Sequence, residues 1–231
     1  MVVYEFSEPT DCYEVFAPKA NGTSISNGQL VVASDAEYKI MFPSTTPLNE
    51  FMASMDIDVS EGLNINTGIY VLANNVTNSA DKIDALNVQI ESTKTGFTPK
   101  IFKFSSTSGY LGNIATGPKF VSESGIINLK VVVKGECLYV FIDNQETPCI
   151  AYELTESLSG DVGIRSQYSS SKIDRFTIQS TQYSPKTSGI DDIMLDKVEG
   201  DTVVYDLSGR RVSNPAQRGI YIVNGKKVLL Q

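Results

Sequence analysis

The sequence predicts an all-β protein: an antiparallel two-sheet β-sandwich followed by a small C-terminal β-hairpin domain. Stretches in which apolar and polar residues alternate are typical of strands with one buried face, and no long stretch has the spacing of an amphipathic helix. Clusters of Gly, Ser, Asn and Thr recur between these stretches, as the turns of an all-β fold require. With 231 residues, 41% of them hydrophobic, the chain can build one sandwich core and a short appendage.

Residues 129–154 carry the clearest strand pattern. Apolar residues alternate with Lys130, Val132 and Lys134, and Gly135 follows at the first central place of a four-residue turn. Glycine adopts the backbone shape of a type II′ turn without strain, so we predict a hairpin here. Its register brings three apolar pairs onto one face: Val133 with Leu138, Val131 with Val140, and Leu129 with Ile142.

A second turn, over residues 143–146, returns the chain along a third strand. Ile150, Tyr152 and Leu154 then extend the same apolar face. The result is a three-strand antiparallel meander, and its apolar face requires a second layer to cover it.

The remaining strands are read from the same alternation and from turn residues. Asn21-Gly22 and Asn27-Gly28 are strong hairpin signals. We expect residues 105–119, which are rich in Ser, Thr and Gly, to form a loop with Tyr110 exposed. The other predicted strands are Val2–Phe6, Cys12–Phe16, Glu37–Phe42, Phe51–Val59, Asn66–Asn74, Ala85–Ser92, Lys100–Phe104 and Ile173–Ile178.

Composition excludes several classes of function. The net charge is −8, and because residues 190–231 contain six acids and six bases, the whole surplus lies in the first 189 residues. An acidic domain disfavours nucleic acid and anionic lipid surfaces, and we predict no transmembrane segment because no apolar run is long enough. The chain contains no histidine, which removes the commonest general base and zinc ligand.

The three cysteines are expected to remain unpaired thiols. Cys137 and Cys149 flank a predicted hairpin, but the register above sets Cys149 opposite Phe141, two pleats from Cys137. At a strand rise of about 3.3 Å per residue the two would lie roughly 13 Å apart, beyond the reach of a disulfide.

Two carboxylates in the strand Phe51–Val59 raise the question of catalysis. Glycosidases of the family-16 β-glucanase type place three acids on alternate residues of such a strand, as nucleophile, helper and acid/base. Here Ser54 occupies the nucleophile position, with Asp56 and Asp58 following. We therefore interpret Asp56 and Asp58 as the solvent face of the strand.

The loop between the next two strands is rich in oxygen ligands, which hard cations such as Ca²⁺ prefer. It is therefore a candidate calcium site, although the spacing matches no EF-hand, and we predict a solvated loop and no cofactor. The side chains in question are Asn74, Asn75, Asn78, Asp81 and Asp84.

Several motifs occur in an order that resembles the concanavalin A-like lectin/glucanase domain, in its laminin-G-like form. They are YEF and SISNGQLVV near the start, TGIYVLA, LKVVVKGECLYVFIDN, and a closing SGDVGIRSQY with KIDRFTI. The resemblance covers about residues 1–180. It implies two antiparallel sheets in jelly-roll order with adjacent terminal strands.

Residues 181–189 are predicted to be a linker, and residues 190–231 a small β tail. VVYDLSGRRV and RGIYIVNGKKVLLQ read as two hairpins, the second turned by Asn224-Gly225. This tail resembles the C-terminal sorting domain of Bacteroidetes type IX secretion. The resemblance implies an exported protein, in the periplasm, on the outer surface or secreted, and attachment to a larger carbohydrate-active or surface protein.

The start of the chain does not match that expectation. MVVYEFSEPT has neither the basic n-region nor the apolar h-region of a signal peptide. Taken alone it favours a cytoplasmic protein, whereas the tail favours a trimmed chain or a fragment of an exported one.

We predict a non-catalytic module that binds a glycan or polysaccharide, with aromatic rings for stacking and planar side chains for hydrogen bonds. Tyr139 and Phe141 also point away from the meander core, whereas the lack of tryptophan weakens the prediction. The candidate ligand-binding residues on the polar faces of the central strands are Tyr70, Asn87, Gln89, Glu91, Arg165 and Gln167.

Two alternatives remain at this point. The chain could be a glycoside hydrolase, for which Glu91 with Asp56 or Asp58 is the best carboxylate pair. It could also be a structural spacer beside a neighbouring catalytic domain.

Overall fold

The computed structural model describes residues 1–6, 13–18, 22–61, 64–156 and 158–186, and, in the C-terminal segment, three strands. The chain divides into two compact units, Met1–Lys186 and Thr187–Gln231. All regular structure in the described residues is β, so the predicted all-β class is confirmed.

The first unit contains two antiparallel sheets. Sheet I runs in the order β13-β12-β11-β6-β15-β4-β3, and β1 also pairs with β15. Its strands are β1 (Val2–Tyr4), β3 (Thr23–Ser26), β4 (Gln29–Val32), β6 (Phe51–Asp58), β11 (Ile126–Lys134), β12 (Cys137–Ile142), β13 (Ile150–Glu153) and β15 (Ser171–Gln179).

Sheet II runs in the order β10-β9-β8-β7-β14-β5-β2. Its strands are β2 (Glu14–Phe16), β5 (Glu37–Phe42), β7 (Asn66–Asn74), β8 (Asp84–Thr93), β9 (Gly96–Ser105), β10 (Gly109–Thr116) and β14 (Asp161–Gln167).

The two sheets enclose one apolar interior, so the predicted sandwich is confirmed. Phe42 of β5 stacks on Phe176 of β15, with ring centroids 4.4 Å apart and planes 15° from parallel. Both rings are fully buried. One stacked pair thus joins β5 of sheet II to β15 of sheet I across the interior.

The predicted meander is confirmed at the level of individual residue pairs. Val133 lies opposite Leu138, Val131 opposite Val140 and Leu129 opposite Ile142, and all six are buried. Gly135 has a φ of 58°, as the predicted turn requires. Cys137 and Cys149 are free thiols, so the expectation of no disulfide between them is also confirmed, whereas Cys12 lies outside the described residues.

The prediction of a loop over residues 105–119 is wrong, because residues 109–116 form the edge strand β10 on β9. The register shifts twice, between Tyr110 and Gly112 and again between Asn113 and Ala115. Each bulge adds a residue and breaks the period of two. The sequence of this strand therefore shows no regular alternation of apolar and polar residues. Tyr110 is nevertheless 52% exposed, as predicted.

The C-terminal unit contains a three-stranded antiparallel sheet in the order β16-β17-β18. These strands are β16 (Val204–Tyr205), β17 (Gly219–Val223) and β18 (Lys226–Leu230). Val223 pairs with Lys226, so the predicted second hairpin forms, while its turn residues Asn224 and Gly225 lie outside the described residues. Within the described part of the chain, no helix is long and apolar enough to cross a membrane.

Candidate functional site

The outer face of sheet II carries a row of polar residues across five neighbouring strands. Strand pairing sets Arg165 of β14 between Lys39 of β5 and Gly68 of β7. Gly68 in turn lies opposite Gln89 of β8, which lies opposite Lys100 of β9. Because these residues are paired across the sheet, their side chains emerge on the same face.

Arg165 is the centre of a buried hydrogen-bond network on this face. Its Nη2 donates to Glu37 Oε2 at 2.8 Å, and its Nη1 donates to Gln89 Oε1. The guanidinium carbon lies 4.9 Å from the centroid of the Phe104 ring, a cation–π contact. The side chains of Arg165 and Glu37 are only 4% and 1% exposed, so the pair is shielded from water and salt.

The second oxygen of Glu37 is occupied as well. Glu37 Oε1 accepts from the Tyr70 hydroxyl at 3.2 Å and from the Asp81 backbone N–H at 3.1 Å. Burial raises the pKa of Tyr70 well above its ordinary value, so its phenol keeps its proton and donates to Glu37. Both carboxylate oxygens of Glu37 therefore have protein partners.

A pocket of about 560 Å³ opens over this network, and we call it the sheet II pocket. Tyr110 lies beside both Phe102 and Phe104, with centroid distances of 5.7 Å. Tyr110 and Tyr168 are 52% and 61% exposed, so two aromatic rings face solvent at its rim. The lining residues are Glu37, Ala80, Asp81, Gln89, Glu91, Lys100, Phe102, Phe104, Tyr110, Asn113, Arg165, Gln167 and Tyr168.

A chain of polar contacts continues from the buried network to the edge of the pocket. Gln89 Nε2 donates to Asn66 Oδ1 and, at 3.3 Å, to Glu91 Oε1. Glu91 Oε2 forms an ion pair with Lys100, and Asn66 Nδ2 donates to Gln167 Oε1 at 3.0 Å. The carboxylates of the pocket are therefore bound internally, whereas Gln167 retains an amide group for a ligand.

The six predicted binding residues all lie on the outer face of sheet II. Gln89, Glu91, Arg165 and Gln167 line the pocket. Tyr70 and Asn87 are fully buried and do not line it, and the Asn87 amide has no hydrogen-bond partner among the described residues. The role of all six residues in ligand binding stays a prediction.

Tyr139 and Phe141 lie elsewhere. Both belong to β12 of sheet I, on the opposite side of the sandwich. Phe141 there packs under the Lys130 ammonium, 4.6 Å from the ring centroid. The sequence places these two rings on the outer side of the meander correctly, but that side is not the side of the sheet II pocket.

Several lining residues were missed from the sequence. Glu37 carried a usable signal, because charged residues at positions 37 and 39 alternate with Tyr38 and Ile40 in an otherwise apolar strand. Phe102 carries no such signal, because the Tyr110 ring that packs beside it belongs to β10, where the sequence predicts a loop. The full set of missed residues is Glu37, Ala80, Asp81, Lys100, Phe102, Phe104, Tyr110, Asn113 and Tyr168.

The side chains proposed as calcium ligands point to separate partners. Asn75 Nδ2 donates to Asp84 Oδ2 at 2.7 Å, Asn78 Oδ1 accepts from the Ala17 N–H, and Asp81 Oδ2 accepts from the Tyr110 N–H. The hydrogen bond from Asn75 lowers the pKa of Asp84, with further help from Ser106. In the part of the chain that is described, no three His, Cys, Asp or Glu residues converge on a point that could hold a metal ion.

Asp56 and Asp58 lie on the outer face of sheet I, as the sequence indicated. Asp56 accepts from Asn128 Nδ2 at 2.6 Å and pairs with the exposed Arg175 at 3.2 Å. Glu91 lies on the outer face of sheet II, so the whole sandwich separates it from both aspartates. Packed sheets are about 10 Å apart, and outward side chains are farther still, beyond the roughly 5–9.5 Å that glycoside hydrolysis requires. The proposed catalytic pair is therefore wrong.

A larger groove of about 880 Å³ lies on sheet I. Met1, Val3, Met52 and Val121 supply much of its apolar lining, and none of its lining residues is aromatic. We favour the sheet II pocket as the functional site because it combines a buried charged network with exposed rings, whereas the sheet I groove has neither.

No protein-family model and no curated protein matches the chain. Among solved structures, carbohydrate-binding module CBM66 from Bacillus subtilis is similar to it, with a TM-score of 0.55 and 16% identity over 73% of this chain and 96% of that one. A Bacillus subtilis protein of unknown function with a galectin-like fold gives a TM-score of 0.57 and 12% identity, over 80% and 97%.

A third similar structure is the VIP36 exoplasmic/lumenal domain in its Ca²⁺/Man3GlcNAc-bound form. Its TM-score is 0.54, with 11% identity over 78% of this chain and 88% of that one. Sequence identities this low show that the fold is shared and carry no information about function. The first unit therefore has a lectin-like β-sandwich fold, in agreement with the concanavalin A-like architecture expected from the motifs.

Proposed function

We propose that the chain is a non-catalytic carbohydrate-binding module and that it binds a glycan or polysaccharide in the sheet II pocket. The observation that carries this proposal is the buried network of Arg165, Glu37 and Gln89, which lies directly beneath an open pocket bordered by Tyr110 and Tyr168. Such a floor is rigid before any ligand arrives, so binding has little ordering cost there.

The chemistry of the pocket suits a sugar. A pyranose ring presents an apolar C–H face, which packs on an aromatic ring, and hydroxyl groups, which bond to planar amides. Tyr110 and Tyr168 supply exposed rings, and Gln167 supplies an amide donor at the edge. CBM66 and the VIP36 domain with bound Man3GlcNAc share the fold, which supports the proposal.

The charges around the pocket favour a neutral glycan over a uronate-rich one. Glu37 is paired with Arg165 and Glu91 with Lys100, so neither cation is free for a ligand carboxylate. Asp81 at the wall adds a negative charge, and the net charge of the chain is −8. The negative potential of the protein would therefore repel a polyanionic ligand.

We therefore expect binding to be nearly independent of salt. Retention by a neutral polysaccharide in affinity gels should change by less than about twofold between low and physiological ionic strength, because no ion pair with the ligand is screened. A neutral glucan and a uronate polymer of similar length form the matched pair of ligands. Retention by the uronate polymer alone, with loss at higher salt, would contradict the neutral-ligand assignment.

The principal test is substitution at the rim. Tyr110→Ala is expected to weaken retention about tenfold, the ~1.4 kcal/mol that loss of one stacking platform and its buried area can account for. Tyr139→Ala removes a tyrosine from the opposite sheet and should leave retention unchanged. Binding would be measured by affinity electrophoresis against a panel of neutral polysaccharides, and confirmed by calorimetry with an oligosaccharide of the retained polymer.

Two results would overturn the proposal. Absence of retention by every polysaccharide in the panel would remove the binding function. Hydrolysis of a chromogenic glycoside that is lost in Glu91→Gln would make the chain an enzyme instead.

The cellular setting is part of the same proposal. We propose an exported protein with three regions: a binding domain over residues 1–180, a linker over residues 181–189 and a sorting tail over residues 190–231. Residues 181–186 of the proposed linker belong to the first compact unit. The resemblance of the tail to type IX sorting domains and the lectin-like fold support it. In this setting the domain would hold a neighbouring catalytic domain close to its polysaccharide.

A further inference from the structure

The loop of residues 75–82, which connects β7 to β8, folds back over the outer face of sheet II. Most of its side chains are exposed, yet Val76 near its start and Ile83 directly after it pack inward. With Met41 and Tyr70 they contribute to a small apolar cluster outside the main core. The sequence indicates a solvated loop, but in the structure its backbone is fixed against the sheet.

A buried lysine makes two of the hydrogen bonds that hold the loop. Lys39 emerges from β5 beneath the loop, is 0% exposed, and donates from Nζ to Thr77 O at 3.1 Å and to Ser79 O at 2.7 Å. A buried ammonium requires such oxygens, because it has lost its water. The two carbonyls therefore bend toward one cation, which is how loops coordinate hard metal ions.

The charges around Lys39 suit this role. Burial lowers the pKa of Lys39, and Arg165 acts in the same direction, whereas Glu37 and Asp81 favour the charged form. Glu37 lies on the same face of β5, two residues away, and Asp81 belongs to the loop itself. The two carbonyl groups are thus the hydrogen-bond partners of the ammonium, and Glu37 and Asp81 act on it through their charge.

The same loop builds one wall of the sheet II pocket. Ala80 and Asp81 line the pocket, and the Asp81 N–H donates to Glu37 Oε1 at 3.1 Å. Asp81 Oδ2 accepts from the Tyr110 N–H at 3.2 Å, which links the loop to the edge strand. A shift of the loop would therefore move both Asp81 and Tyr110.

We propose that the Lys39 ammonium is a built-in cation that holds this loop over sheet II, so that the wall of the pocket is set without a divalent metal ion. Lys39 is a positioning residue: it acts through Asp81 and Tyr110 and does not line the pocket. The inference rests on the proposed function only in taking the sheet II pocket as the binding site.

The test measures the loop itself and requires no glycan. Amide hydrogen exchange would be followed for residues 75–82 and for Tyr110, in wild type, Lys39→Met, Lys39→Arg and the control Lys130→Met, whose lysine lies on sheet I. We expect exchange at these amides to be at least tenfold faster in Lys39→Met, partly restored in Lys39→Arg and unchanged in Lys130→Met. Amides of β11 should remain protected in all variants that fold.

A second measurement uses only the wild-type protein, so it stands even if Lys39→Met does not fold. Loop exchange would be compared in EDTA and in millimolar CaCl₂. Equal exchange supports the built-in cation, whereas slowing of the loop by Ca²⁺ would overturn it, as would unchanged loop exchange in Lys39→Met. Because these readouts do not involve a sugar, failure of glycan binding and failure of this inference are separate results.

Discussion

Arg165→Met is expected to lower the free energy of unfolding by about 3–5 kcal/mol and to abolish ligand retention. The substitution keeps the length of the side chain but leaves Glu37, 1% exposed, as an unpaired buried carboxylate. Removing one partner of a buried ion pair costs this much because the remaining carboxylate loses its direct counter-ion and gains no water in exchange. Gln89 would lose its donor from the same residue.

The double variant Glu37→Gln/Arg165→Met separates charge from packing. With both members of the buried ion pair made neutral, and the Lys39 ammonium still bonded to Thr77 O and Ser79 O, it should recover most of the loss. Buried pairs contribute little net stability relative to neutral residues of similar volume. Stability would be measured by urea unfolding at neutral pH, with Arg175→Met as the control. Arg175 pairs with Asp56 at 3.2 Å but is 55% exposed, so its loss should cost less than about 1 kcal/mol.

Two outcomes of these unfolding measurements would contradict the expectation. If the free energy of unfolding of Arg165→Met lies within about 1 kcal/mol of the wild-type value, the substitution does not leave a costly buried charge. The network would then not be the rigid floor of the pocket. If the double variant is no more stable than Arg165→Met, the cost lies in packing and not in charge.

Phe42→Ala is the second substitution with a large expected effect, again about 3–5 kcal/mol. Phe42 stacks on Phe176 across the interior and also contacts Tyr4, with centroids 4.5 Å apart. Truncation would leave a cavity between the sheets, because paired strands on both sides prevent collapse. Pocket binding should survive in the folded fraction, since Phe42 points away from the outer face.

The matched control is Phe141→Ala. Phe141 is a phenylalanine of similar size on the outer face of sheet I, only half-buried, so the expected cost is below about 1 kcal/mol. Both variants would be compared by urea unfolding with a shared slope. Equal losses in the two would mean that the Phe42–Phe176 stack does not tie the sheets together.

The fold could be predicted from the sequence because two local signals agree. In the meander, alternation chooses the buried face and Gly135 fixes the turn, and only one register satisfies both. Asn27-Gly28 gives the same agreement for the β3–β4 hairpin, where both residues have positive φ. Where the alternation and the turn residues agree, the individual residue pairs of a hairpin can be predicted.

The candidate site could be predicted only in part, for a physical reason. Alternation gives the face of a residue but not its depth, so Gln89 and Arg165 were assigned to a wetted face although both are buried. They are enclosed by side chains of other strands: Glu37 and the Phe104 ring contact Arg165, and Asn66 bonds to Gln89. Such contacts join distant parts of the chain, and the local alternation of apolar and polar residues does not predict them.

The two bulges of β10 also affect how copies of the chain behave when concentrated. β10 ends sheet II, and an open edge of regular pleat is a template on which another molecule can add a strand. Each bulge displaces the outward N–H and C=O groups from an even ladder and twists the edge. The irregularity that shapes the rim of the pocket therefore also hinders a second copy from adding a strand at this edge.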